Sequence, residues 1–203
     1  LQDFRAPDQS TAQSPRIDAH TGTDVLDYKK APFQVMTWDD TNGDVWLSWT
    51  IGNNPQPGNS FRVSGQGRLS DPDVVLGYGG NGDLYAGLVY IDNGQAYYTA
   101  FQYNASLNEF SQSPAVSPIL LGAAGREHSY PNIDVNKRGD IGIVWQETST
   151  ETGSVTVNFP SHNVTSPLTV TFADSYMAIG HIDTGLNCIS ARGLQVTTLD
   201  NTV

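Results

Sequence analysis

The amino-acid sequence predicts an all-β protein, built as an array of four-stranded antiparallel units of which three are clear and a fourth is partial. Three observations support this fold class. A segment that opens at a proline recurs along the chain, each copy is followed by alternating strands and turn residues, and the composition suits strands. Charged residues make up 15% of the 203 residues and aromatic residues 10%, whereas helices favour Ala, Leu, Glu and Lys.

The recurring segment opens the first strand of each unit. Residues 14–19 (SPRIDA) resemble residues 71–76 (DPDVVL) and residues 130–135 (YPNIDV), and the three prolines are 57 and 59 residues apart. Each copy alternates apolar and polar residues after the proline, which is tolerated at the first residue of a strand. These spacings predict units of about 57 to 59 residues.

Three further strands are predicted in each unit. The second strands are predicted at 33–38, 84–91 and 141–146, the third at 45–50, 96–103 and 155–159, and the shorter fourth at 60–63, 117–121 and 168–172. Gly-containing turns are predicted between the second and third strands, at 39–44, 92–94 and 151–153, because Asn-Gly supplies the positive φ that a tight hairpin requires.

The predicted strands divide the chain into an arm and one domain. The polar segment 1–13 is predicted as an N-terminal arm, which either closes its own fold or docks as a strand on a neighbouring chain. The single all-β domain is predicted at 14–203, with units at about 14–70, 71–128, 129–172 and 173–203. Strands of the partial fourth unit are predicted at 176–182, 186–191 and 193–199.

The third unit carries a family resemblance. Pro-Asn-Ile-Asp-Val (131–135) followed by Gly-Asp-Ile-Gly-Ile-Val-Trp-Gln (139–146) resembles the blade repeats of secreted bacterial β-propeller proteins, and the resemblance covers about 14–172. It implies a β-propeller-like array. Closed propellers have four to eight blades, so the chain would be a small ring or part of a ring that another chain completes. The alternative fold is a β-sandwich with an exchanged N-terminal strand.

Charge limits the classes of partner. The chain has 10 basic and 21 acidic residues, a net charge of -11. Nucleic-acid binding requires a cationic face, so that class is excluded. No apolar run is long enough to insert into a membrane. An acidic surface suits neutral glycans, divalent cations or protein partners.

Location is predicted from the termini and two sequons. The chain starts at Leu1 rather than at Met, which suggests an extracellular or cell-surface protein after removal of a signal peptide. Asn104 and Asn163 lie in Asn-x-Ser/Thr sequons and are glycosylation candidates. The single cysteine, Cys188, has no partner for an internal disulfide and is predicted as a small buried apolar residue.

Candidate binding residues are few, and no catalytic motif occurs. Asp40, Asn42 and Asp44 alternate before a sharp turn, which suggests Ca²⁺ or, as the alternative, a hairpin turn held by side-chain hydrogen bonds. Trp46, Tyr97 and Tyr103 are candidates for outward-facing aromatics that stack on glycans or anchor a partner. Trp49 and Trp145 alternate with aliphatic residues, as do Ile141 and Ile143 in the strand of Trp145, and these strand faces are predicted to be core. No cofactor other than Ca²⁺ is suggested.

These features predict a non-catalytic extracellular structural subunit. It would self-associate into an oligomer or fibre through its sheet edges and N-terminal arm, since unpaired strand edges accept strands from other chains. The first alternative is a carbohydrate-binding β-propeller module that takes neutral glycans. The second is a glycoside hydrolase, because the 21 acidic residues offer many carboxylate pairs.

Overall fold

A computed structural model describes residues 12–20, 33–51, 59–64, 69–158 and 163–192. This part of the chain contains thirteen strands and no helix. The strands form three antiparallel sheets, and none of the three closes into a barrel. The prediction of an all-β protein is therefore confirmed.

Each sheet is a meander in which strands that follow one another in sequence lie side by side. The first sheet contains β1 (Ala12–His20), β2 (Phe33–Asp40), β3 (Val45–Ile51) and β4 (Ser60–Ser64). The second contains β5 (Leu69–Tyr78), β6 (Leu84–Asp92), β7 (Gln95–Asn104), β8 (Glu109–Phe110) and β9 (Val116–Leu120), and both β8 and β9 pair with β7. The third contains β10 (Glu127–Val135), β11 (Asp140–Asn158), β12 (Asn163–His181) and β13 (Gly185–Arg192).

The first strand of every sheet is interrupted at its proline. The pairing register shifts around Pro15 in β1, around Pro72 in β5 and around Pro131 in β10. The residues before the second and third prolines, Asp71 and Tyr130, have positive φ values of 48° and 52°. A bulge removes proline, which has no N–H, from the regular ladder. The first strands of the three sheets therefore share a bulge at the proline.

The second sheet lies between the other two and is buried on both faces. Of the nine residues of β6, only the last is not buried. One face of the sheet packs on the first sheet through a cluster that includes Leu47, Trp49 and Leu88. The other face packs on the third sheet through a cluster that includes Tyr98 and Trp145. Trp49 and Trp145 were predicted as core residues, and both are buried.

Two glycines allow the third sheet to approach the second. A Cβ atom added at Gly77 would lie 2.9 Å from side-chain atoms of both Ile182 and Val135, and one added at Gly87 would lie 3.3 Å from Ile182. Glycine inside a strand weakens the strand unless another group packs closely against it. Ile182, which is fully buried, is that group here.

The predicted turn at 151–153 is wrong. β11 and β12 are each 19 residues long, and Glu151 and Gly153 pair with Val170 and Leu168 in the middle of this hairpin. The predicted strands at 155–159 and 168–172 fall inside these two strands, apart from residue 159, which lies outside the described residues. Alternating Thr and Val favour an extended strand, and Glu-Thr-Gly lacks the Asn-Gly pair of a tight hairpin.

The segments predicted as a fourth unit belong to the third sheet. Residues 176–181 form the end of β12, and β13 covers the predicted strand at 186–191 and pairs with β12. Because β11 and β12 serve as the second and third strands, β13 becomes the fourth. The predicted strand at 193–199 lies outside the described residues. So does the predicted arm, except for Ala12 and Gln13, which pair in β1 with Asp40 and Asp39.

Candidate functional site

The turn suggested for Ca²⁺ joins β2 to β3. Oδ1 of Asp40 accepts hydrogen bonds from the backbone N–H groups of Asn42 (2.9 Å) and Asp44 (3.0 Å), and Oδ2 accepts one from the indole of Trp46 (2.9 Å). The Asp44 carboxylate lies 3.2 Å from the guanidinium of Arg62. These contacts describe a turn held by side-chain hydrogen bonds. Among the residues described, no group of three or more His, Cys, Asp or Glu side chains is arranged to hold a metal ion, so the Ca²⁺ site stays a prediction.

Two of the three aromatics predicted to face outward are buried. Trp46 is 9% exposed and stacks on Trp38 at 6.4 Å between ring centroids. Tyr103 is 5% exposed and meets Phe33 edge to face. Each of the two side chains packs against a neighbouring aromatic ring, and this packing contributes to its burial. Tyr97 is partly buried against the first core cluster, so the described structure adds no observation in favour of a glycan site.

The two sequons lie at strand ends. Asn104 ends β7 and is exposed, and its side-chain oxygen accepts the backbone N–H of Ser106 at 3.0 Å. Asn163 begins β12, opposite Asn158. Cys188 lies in β13, paired with Ile179. Occupancy of the sequons stays a prediction.

A buried carboxylate that the sequence analysis missed lies between the second and third sheets. Glu147 of β11 is 2% exposed. Its Oε1 accepts hydrogen bonds from the indole of Trp145 (3.2 Å) and the backbone N–H of Ala123 (3.1 Å), and its Oε2 lies 3.4 Å from the guanidinium of Arg126. A buried charge requires such partners because it has lost its hydration.

His128 completes this group, which we call the Glu147 cluster (Ala123, Arg126, His128, Trp145 and Glu147). Nδ1 of His128 accepts the backbone N–H of Ala96 at 3.0 Å, which leaves Nε2 as the donor to the carbonyl oxygen of Ala123 at 3.2 Å. The side chain has no exposure to solvent. The cluster thus ties the segment before β10 to both neighbouring sheets, and its bonds hold structure rather than present a reactive group.

An open pocket lies beside the Glu147 cluster, between the β6–β7 turn and the segment that leads into β10. It is lined by Asn93, Gly94, Gln95, Gly125, Arg126 and Glu127. The Gln95 side chain spans the pocket wall, since its amide donates to the Arg126 carbonyl and its oxygen accepts the Gly125 N–H at 3.0 Å. None of these six lining residues carries an aromatic ring.

A second cluster joins three turns at the opposite end of the sheets. Nδ1 of His181 lies 2.6 Å from a carboxylate oxygen of Asp183, and Nε2 lies 2.8 Å from the carbonyl oxygen of Arg138. The other oxygen of Asp183 accepts the backbone N–H of Gly80 at 2.8 Å. The β5–β6, β10–β11 and β12–β13 turns are therefore held together through one imidazole and one carboxylate.

The pKa of His181 lies above its ordinary value of 6.5. Burial is the largest single influence and lowers the pKa, but the hydrogen bond to Asp183, the Arg138 carbonyl and the charges of Asp183 and Asp140 together outweigh it. A histidine whose pKa is raised by folding stabilises the folded state most where the ring is protonated.

This shift predicts a pH-dependent effect of replacing the ring. The contribution of His181 is fully present below pH 6.5 and is lost as the pH rises through the folded-state pKa. We expect His181→Gln to lower the free energy of unfolding more at pH 5.5 than at pH 8.5. Urea unfolding of both proteins at the two pH values measures this difference. A loss that is equal at both values, or larger at pH 8.5, would contradict the assignment.

A second buried carboxylate lies between the first two sheets. Asp39 of β2 is 6% exposed, and its Oδ1 has no hydrogen-bond partner among the described residues. Burial, helped by the nearby charges of Asp71 and Asp40, raises its pKa above the ordinary 3.8. Asp39 therefore belongs to the contact between sheets, at some cost in free energy.

The outer face of the third sheet, turned away from the second, carries exposed apolar residues. Val144 and Ile179 are 45% and 48% exposed. Val144 pairs directly with Met177, and Ile179 pairs with Gly142, so the four residues share one face. A Cβ atom added at Gly142 would have no neighbour within 4 Å in the part of the chain that the structure describes. We call these four residues the outer patch.

Comparisons with known proteins found no relative. No protein-family model, no curated protein and no solved structure matches the chain. In the described residues, no helix has the length and apolar character needed to span a membrane. The class that fold and sites define is therefore an all-β protein of three antiparallel sheets.

Proposed function

We propose that this chain is a non-catalytic extracellular subunit that associates with copies of itself, and that its three sheets are blades of a propeller-like array open at one end. The observation that carries the proposal is the outer patch. Val144 and Ile179 are about half exposed on a face whose counterpart in the second sheet is covered. Apolar residues grouped on one face commonly mark an interaction surface.

The arrangement of the first strands supports a propeller-like array. β5 contacts both β1 and β10, so the first strands of the three sheets lie side by side, as the inner strands of propeller blades do. Each of these strands also has a bulge at its proline. A shared bulge supports the idea that the sheets are copies of one unit, because bulges are maintained as designed features.

The correspondence between sheets indicates what the outer patch would do. Val144 is the fifth residue after Gly139, and Gly87 is the fifth after Gly82; both glycines have positive φ and end equivalent turns. At Gly87 the second sheet receives Ile182 from the third. The equivalent point of the third sheet, Val144, is open in this chain, so a further sheet is the expected occupant.

The opposite end of the array favours a closed dimer. On the face of the first sheet that points away from the second, Trp38 and Trp46 are 2% and 9% exposed and therefore already covered. A head-to-tail fibre would need that face to be free. Contact between two outer patches needs only one kind of surface and gives a two-fold dimer. The N-terminal arm, residues 1–13, stays a predicted second contact.

A charge placed in the outer patch tests the proposal. We expect the intact chain to form a dimer at micromolar concentration and Val144→Asp to form a monomer, because a buried unpaired carboxylate at an interface is costly. Leu107→Asp is the matched control, since Leu107 is 64% exposed on the β7–β8 turn and should leave the mass unchanged. Light scattering after size exclusion measures the mass. A monomeric parent chain, or a dimer that Val144→Asp leaves intact, would remove the proposal.

A further inference from the structure

The long hairpin carries a second surface, which we propose pairs strand to strand with another copy of this chain. The surface is the backbone edge of β11 over residues 149–158, where no other strand in the described part of the chain pairs, and we call it the ribbon edge. It would join the ribbon edge of a second copy in antiparallel order, giving a four-stranded sheet across the two chains. This inference rests on the proposed self-association and names the backbone contact that would hold it.

The ribbon edge begins where β10 ends its pairing. The last pair between β10 and β11 is Glu127 with Thr148. From there β11 and β12 continue as a two-stranded ribbon through ten pairs, from Ser149–Phe172 to Asn158–Asn163, a length of about 34 Å. Among the described strands none but β12 pairs with this part of β11. A two-stranded ribbon alone in water is marginally stable, so further pairing would stabilise it.

The two edges of the ribbon differ in their capacity to pair. Pro167 lies in β12, opposite Ser154, and a proline has no N–H to give to an added strand. Proteins commonly protect edge strands with Lys, Pro or a bulge. Residues 149–158 contain no Lys and no Pro, and their pairing with β12 runs without a register shift. The β11 edge is therefore the one open to a partner strand.

Several features favour a second copy as the partner. Glu151 is the single charged residue of the ribbon edge, so two identical edges repel each other little. Antiparallel pairing of identical segments about a two-fold axis is self-complementary. An axis through Gly153, which is exposed and has open space around it, would place each Glu151 opposite the position of Val155 rather than opposite Glu151.

A pair of lysine variants tests the ribbon edge. Thr152 and Thr169 pair directly across the ribbon, and both are exposed. Thr152→Lys would place the lysines of two paired copies about 7–8 Å apart, whereas Thr169→Lys on the far strand would hold them roughly 15 Å apart. We expect Thr152→Lys to raise the dimer dissociation constant about tenfold at low salt and Thr169→Lys to leave it within about twofold.

Sedimentation of the full chain at several concentrations measures both constants. High salt should restore most of the affinity of Thr152→Lys, because salt screens charge repulsion. Hydrogen exchange should show that amides of residues 149–158 become protected as the concentration of the parent chain rises. Unfolding in urea checks that both variants keep the stability of the parent chain.

The outcomes separate this inference from the proposed function. Equal effects of the two lysines, or exchange at 149–158 that ignores concentration, would overturn the ribbon contact. If dimers persist in that case and Val144→Asp breaks them, the proposed function stands without the ribbon. A chain that is monomeric at every concentration overturns both the ribbon contact and the proposed function. If the ribbon edge becomes protected only when an unrelated protein is added, the choice of a second copy as the partner is overturned.

Discussion

Replacing Glu147 with alanine is expected to lower the free energy of unfolding by roughly 2–4 kcal/mol, because the buried carboxylate is the acceptor for two N–H donors. The side chain is 2% exposed, and its oxygens accept hydrogen bonds from Trp145 and Ala123 and meet the charge of Arg126. Removing the carboxylate leaves the buried indole N–H of Trp145 and the partly buried backbone N–H of Ala123 without this acceptor, and a buried donor without a partner costs about 1–3 kcal/mol. Urea unfolding followed by tryptophan fluorescence measures the loss.

Two further variants make the test specific. Glu127→Ala removes an exposed acidic side chain at the start of β10 and should change stability by no more than about 0.5 kcal/mol. Glu147→Gln keeps an oxygen acceptor but not the charge, so we expect an intermediate loss. Should Glu147→Ala be as stable as Glu127→Ala, the Glu147 cluster would not be what holds the segment before β10 in place.

The sequence pattern around Glu147 predicts the strand and its buried face, but it does not predict the burial of the carboxylate. Ile141, Ile143 and Trp145 alternate on the buried face of β11, and Glu147 is the next residue in that series. The alternation was sufficient to predict a strand and its core face. It could not show burial of a carboxylate, because the partners Ala123, Arg126 and His128 come from a segment that only the folded chain brings near.

The third sheet shows the same division between local and non-local information. The proline-led first strand and the strand predicted at 141–146 could be recognised from local sequence, since both patterns depend on neighbouring residues. The continuation of β11 through Gly153 could not be recognised from local sequence, because pairing with β12 over 19 residues outweighs the preference of one glycine for a turn. Assignment of 186–191 to the third sheet followed from that continuation.

The burial of the aromatic side chains depends on how the sheets pack, which the sequence pattern of one strand does not reveal. Trp49 and Trp145 alternate with aliphatic residues and were predicted to be buried, which is correct. Trp46 and Tyr103 were expected outside, but each lies against another ring. Period-two alternation separates the faces of a strand. It does not indicate that a sheet is covered on both faces.

Replacing Gly139 with alanine should have a comparably large effect. Its φ of 84° is a left-handed conformation that costs a non-glycine residue about 1–2 kcal/mol. A Cβ atom there would also overlap the backbone carbonyl oxygen of Tyr78 and lie 2.9 Å from the ring of His181. Overpacking of a fixed backbone adds about 1–3 kcal/mol, so we expect a total loss of roughly 3 kcal/mol and separation of the three joined turns.

Two other glycines separate these contributions. Gly94 has a φ of 74° but nothing within 4 Å of an added Cβ atom, so Gly94→Ala should show the conformational cost alone. Gly80→Ala would place its Cβ atom 3.7 Å from Asp183 with no positive φ, and should be close to neutral. The free energies of unfolding should therefore rank Gly80→Ala above Gly94→Ala and Gly94→Ala above Gly139→Ala. Equal losses for Gly94→Ala and Gly139→Ala would mean that the β10–β11 turn does not press against the end of β5, and the cluster around His181 would then lose its role as the junction of three turns.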